Sequence, residues 1–172
     1  MIQSEKKLNK LRLLLKADRK DQIIEAVNLL REEEPFSGVV EALVLHYDST
    51  SDEAVQRCIS DFYNDLKDMS VREEVMGQIM ASRKPSTIQM LVSSCWQSGL
   101  DYSPYAAGLA EIFVNSNLAT AIECMTVIEG AASGISEEQK KEILSLLGGV
   151  KEDDDPAMAA LARELGLILG QE

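Results

Sequence analysis

Apolar residues recur along this chain with two periods at once, and that double period limits most strictly what it can fold into. Ile23, Ala26, Val27 and Leu30 follow the spacing i, i+3, i+4, i+7, which lines one face of an α-helix. The pattern returns at Val55, Cys58, Ile59 and Phe62, and at Ile88, Leu91, Val92 and Cys95. It returns again at Ala121, Cys124, Met125 and Ile128, and at Met158, Leu161, Ala162 and Leu165. The leading residues of these sets are 32, 33, 33 and 37 positions apart. A second series lies between them: Val40, Leu43 and Val44; Val75, Met76 and Ile79; Leu109, Ile112 and Phe113; Ile143, Leu146 and Leu147. Its successive offsets are 35, 34 and 34. Two interleaved series on one period describe a repeated helix pair. One pair cannot bury its apolar face alone, so the copies must stack.

Local signals place the helix ends. Helices are predicted at about 4–16, 20–33, 36–47, 52–67, 71–82, 86–97, 104–115, 118–130, 137–148 and 156–169. Thr50 with Glu53, Ser70 with Glu73, and Ser136 with Gln139 read as capping boxes. Asn117 is placed to cap the helix that follows it. Ser103 before Pro104 and Asp155 before Pro156 read as N-caps ahead of a proline at the first helical position. Gly99, Gly134 and Gly148 stand where helices should stop. Alternating β-branched and aromatic runs between glycine-rich turns are missing, so strands are not expected.

Charge divides the chain. Residues 1–20 hold seven basic side chains against two acidic ones, a net of +5. The rest hold ten basic and 27 acidic side chains, a net of −17. A body this acidic repels phosphate backbones, which argues against nucleic acid as a partner. No apolar run approaches the roughly 20 residues of a membrane span, and the first residues lack the apolar core of a signal peptide. Cys58, Cys95 and Cys124 have neither CxxC spacing nor an even count, and each falls on an apolar helix face. They read as small buried hydrophobes in a reducing compartment. The expected setting is cytoplasmic.

Tetratricopeptide and ankyrin signatures are absent. The run Asp155-Pro156-Ala-Met-Ala-Ala-Leu-Ala-Arg163-Glu-Leu-Gly166 resembles the opening helix of a HEAT repeat, and Pro85-Ser-Thr-Ile-Gln-Met-Leu resembles it more loosely. The resemblance covers about residues 18–169. The units run shorter than the HEAT average, and the usual basic residue late in the second helix is mostly missing. It implies a short all-α solenoid: a basic cap helix at 1–17, four helix pairs over 18–149, then an acidic linker and a C-terminal cap helix over 150–172. The structural alternative is a more globular helical bundle. The leucine line Leu8, Leu11, Leu14 and Leu15 should bury the first helix against the second.

No residue pattern reads as catalytic, and none implies a cofactor or a metal. His46, the only histidine, has no cysteine or serine set beside it by a known motif, and reads as a helix-end residue favoured by the local dipole. The runs 32–34 and 152–155 lack calcium-loop spacing and read as solvated linkers. Trp96, Tyr102 and Tyr105 read as a staple at a turn rather than a binding hot spot.

In HEAT-like arrays the second helix of each pair lines a concave, partner-binding side. Its exposed positions here would be Ser37, Glu41, Arg72, Glu73, Ala107, Glu111, Lys140 and Lys141. The stripe is mildly acidic, which suits a basic peptide or protein. The expected function is a non-catalytic protein-binding scaffold. The alternative is an enzyme like the HEAT-like alkylpurine DNA glycosylases, but those need a basic concave face that this sequence lacks. Leu167 points away from the Leu161–Leu165–Ile168 line, so a weak homodimer through residues 156–172 is also expected, with Arg163, Glu164, Gln171 and Glu172 as the side chains that would oppose it.

Overall fold

In the computed structural model the chain is all-helical, with residues 2–81 and 83–170 described. Ten α-helices occur among them: α1 Ile2–Ala17, α2 Lys20–Leu30, α3 Val39–Ser49, α4 Glu53–Asn64, α5 Arg72–Met80, α6 Pro85–Gln97, α7 Ala106–Asn115, α8 Leu118–Ala131, α9 Glu137–Leu147 and α10 Pro156–Gly170. Each matches a predicted helix. Single 3₁₀ turns stand at Met69–Val71, Ser103–Tyr105 and Ala132–Gly134. None of the helices is long and apolar enough to cross a membrane.

At α4 and at the turn before α5 the ends differ from expectation because aspartate carboxylates outcompete hydroxyls as caps. Asp52, not Thr50, caps α4, with Oδ1 accepting from the N–H of Ala54 and Val55. Asp68 caps the turn before α5 through the Ser70 N–H; ahead of α7 the Asp101 carboxylate accepts from the Ser103 N–H. The carboxylate is the stronger acceptor, and its charge suits a helix start. The Ser136–Gln139 box, the Asn117 cap and the Asp155 cap form as expected. The start of α3 shifts to Val39 because Gly38 takes φ +85, a left-handed conformation that breaks the helix.

The chain falls into two compact units, Met1–Leu100 and Asp101–Glu172. In the first, α3 packs on both α1 and α5, and α4 packs on both α2 and α6. Consecutive helices then close the two layers on each other. The core between them holds Ile23, Val27, Leu43, Ile59, Tyr63, Ile79, Leu91 and Val92. Leu11 and Leu15 of α1 are buried. They sit against α3 as well as the expected α2, and Leu8 lies directly over Gly38. In the second unit α7 packs on α8 and α9, and α10 packs on the same two helices. Its core holds Leu109, Phe113, Ala121, Cys124, Ile128, Ile143 and Leu165. Ile59, Val92 and Met125, which share one repeat position, are all buried, as are the three free cysteines.

Side-chain bonds reach across about one period. Arg31 bonds Asp65, 34 residues away, and the Glu41 N–H donates to Glu74, 33 away. Lys67 donates to the Ser98 carbonyl, 31 away, and the Lys84 N–H donates to Asp48, 36 away. In the second unit the Gln139 amide donates to the Ser103 carbonyl, 36 away.

Candidate protein-binding surface

The eight positions expected to face a partner do not form one stripe. Ser37 is exposed but lies in the loop before α3, outside the helix, because Gly38 delays the helix start. Glu41 is half-buried at the start of α3, with Arg12 of α1 3.9 Å away and Glu74 of α5 at its N–H. Arg72 is half-buried, and its Nε donates to the Met69 carbonyl at 2.9 Å. Glu73 is exposed on the first turn of α5. In the second unit Ala107 is half-buried, while Glu111 on α7 and Lys141 on α9 are exposed. Lys140 departs from expectation altogether. It is buried, with its ammonium 2.9 Å from Glu137. It precedes Ile143 by three residues and Leu147 by seven, which puts it on the buried line of α9. Its aliphatic stem packs there while its head reaches the helix edge.

Two clefts in the first unit carry more chemistry than the expected stripe. One, of about 450 Å³, opens between α1 and α3 beside Arg12, Lys16, Asp18, Leu45, His46 and Ser49. The His46 side chain is 11% exposed, and its Nε2 is buried without a hydrogen bond, 3.8 Å from Asp18 Oδ1. Burial pushes the imidazole below its ordinary 6.5, against an opposing pull from Asp18. His46 does sit in the last turn of α3, as expected, and desolvation outweighs the pull of Asp18 on it. The Ser49 hydroxyl donates to the His46 backbone carbonyl, not to the ring.

The second cleft, of about 420 Å³, lies where the α2–α3 loop meets the α4–α5 loop. Leu30, Pro35, Phe62 and Leu66 supply apolar surface, and Glu32, Glu33, Glu34, Asp65 and Asp68 supply carboxylates. Its cations are already engaged. Arg31 Nε and Nη2 both donate to Asp65 Oδ2, at 2.8 and 2.5 Å, and this bond raises the guanidinium pKa. Lys67 turns to the Ser98 carbonyl. Glu33 pairs with Lys7 at 2.7 Å. Glu32, Glu34 and Asp68 have no ion pair among the described residues, and Asp68 is held below its ordinary range by the Ser70 N–H. The sequence signalled half of this cleft as an acidic run. It gave no sign that residues 65–68 would complete it from one period away.

Elsewhere Tyr102 is buried and meets Tyr105 with ring centroids 6.0 Å apart, whereas Trp96 is exposed. On α10, Leu165 and Leu169 are buried and Leu167 is 65% exposed. Gln171 and Glu172 lie outside the described residues. Among those residues no three His, Cys, Asp or Glu side chains group as metal ligands. Compared with models of known protein families, with curated proteins and with solved structures, the chain gives no match.

Proposed function

We propose that this protein is a non-catalytic binding scaffold built from HEAT-like helix pairs as a short α-solenoid, and that it takes a basic, partly apolar segment of another protein. The repeat reading is supported by the bonds between residues one period apart, in both units. Bonds of that span are what stacking of equivalent positions on neighbouring copies produces.

The binding reading rests on the cleft between residues 30–36 and 62–68. Five carboxylates rim an apolar surface there, and its basic side chains are already bonded within the chain. A lysine- or arginine-rich segment with interspersed leucines would replace water at the carboxylates and cover the apolar floor. Of the positions first expected to face a partner, Glu73, Glu111 and Lys141 are exposed charged residues.

Calorimetric titration of the full chain with such a synthetic peptide tests this. Binding should occur, weaken with salt, and be lost in a Glu34→Lys/Asp68→Lys variant that melts as the parent does. A peptide that fails to bind, or binds the variant equally, would refute it. A weak homodimer through residues 156–172 is a second reading, favoured by the exposed Leu167.

A further inference from the structure

We propose that the outer face of α1 and α2 binds a second copy of this chain in a weak twofold dimer. The two helices run antiparallel, and the Lys7–Glu33 ion pair at 2.7 Å fixes which residues lie level. Between them runs an open groove of about 220 Å³ with a floor of Leu11, Leu14, Ala26, Leu29 and Phe36. Leu29 of α2 is 58% exposed there, although the leucine line of α1 is partly or wholly covered. A leucine so exposed, in the centre of an apolar groove, is a surface that association would cover.

The rims say what covers it. On α1, Lys6 and Lys10 are exposed and have no ion pair among the described residues. On α2, Asp21 and Glu25 are exposed and equally unpaired, as is Glu32 in the turn that follows it. One face thus carries a cationic edge, an apolar middle and an anionic edge. A twofold axis lying in that face and running along the groove lays each α1 on the other copy's α2. Lys6 and Lys10 then flank the second copy's Glu32, and Leu14 and Leu29 meet in the middle. An axis across the groove would instead oppose α1 with α1, cation against cation, so charge selects one orientation. At 1.5 Å per residue the 16 and 11 residues of α1 and α2 span about 24 and 16 Å. That footprint falls short of the roughly 800 Å² per partner of a standard stable interface, so the dimer is concentration-dependent.

Glu32 and Glu33 border both surfaces, but Leu29, Lys6 and Lys10 lie outside the acidic cleft; Leu29→Glu should therefore still bind the basic peptide, and either proposal can fail without the other. Sedimentation equilibrium of the full chain decides it. The average mass should rise with concentration from 18.9 kDa toward twice that value, and less so at high salt. Leu29→Glu, at an exposed position, should keep the helical circular dichroism and hold the mass at 18.9 kDa. Lys10→Glu and Glu32→Lys should each be monomeric alone, and their equimolar mixture should associate, because each swapped edge then meets its complement. A parent mass constant at every concentration overturns the proposal. So does a mixture no heavier than its components. So does a dimer that Leu29→Glu leaves intact, including one that Leu167→Glu abolishes. A monomer that instead binds phosphatidylserine vesicles through Lys6 and Lys10 would assign the face to a lipid surface and overturn it too.

Discussion

Residues 1–100 are tied across helices by charged and polar side chains, whereas residues 101–172 rely more on small residues in close contact. In the first unit Arg31 reaches Asp65, Lys20 reaches Asp52, and the buried Tyr63 hydroxyl donates to the Val40 carbonyl. The Asp48 carboxylate of α3 accepts from the Lys84 N–H and the Thr87 hydroxyl, and so caps α6 from another helix. In the second unit Ala106 and Ala110 of α7 are fully buried where α7 meets α8 and α9. A Cβ added at Gly134 would stand 2.7 Å from Ser103 Oγ. Directional bonds help set helix register in the first unit; in the second, close packing of small residues acts beside the Gln139–Ser103 bond. The first should therefore respond to pH and to lost acceptors, the second to added methylenes.

Four substitutions sharpen or break that contrast, read by denaturant melts together with hydrogen exchange resolved over 1–100 and 101–172. The largest effect belongs to Val92→Asp in α6. Val92 is fully buried, and an unpaired carboxylate there should destabilise the first unit by at least ~3 kcal/mol. An unchanged melt would refute the repeat alignment itself. Next is Ala110→Leu, where overpacking against α8 and α9 should cost about 1–3 kcal/mol in the second unit. Tolerance of the leucine would show that α7 has spare room and would break the comparison. Asp48→Ala should follow at about 1–2 kcal/mol in the first unit, because the Thr87 hydroxyl, 1% exposed, loses its acceptor.

The smallest effect is a pH dependence. Burial lowers the His46 pKa from 6.5, so its contribution is complete above that value and is lost as pH falls through the lowered one. Below 6.5 the unfolded chain binds the proton that the fold excludes. The first unit should soften there and a His46→Gln variant should not. His46 is the only histidine, so the second unit has no group with an ordinary pKa in this window. A further loss belongs at lower pH, to Asp48. Its burial alone would raise its carboxyl, but the Thr87 and Lys84 bonds outweigh that and hold it below 3.8, so its support vanishes as pH falls through the lowered value.

Ten helices, their order and most of the buried set were legible in the sequence. Those features follow from a 3.6-residue period and from side-chain hydrophobicity, which act over a few residues. The Arg31–Asp65 and Glu41–Glu74 bonds span 34 and 33 residues, close to the spacing of the apolar pattern. What the period could not tell was which polar atoms would meet. Thr50 and Ser70 gave way to Asp52 and Asp68 as caps because acceptor strength decides between neighbours that both fit. Lys140 turned inward because a lysine stem is apolar and its place on α9 faces the core. Neither the acidic cleft nor the groove over Leu29 exists in one segment. Each is assembled by two elements whose packing brings their charges to a common edge, and only the tertiary structure sets that distance.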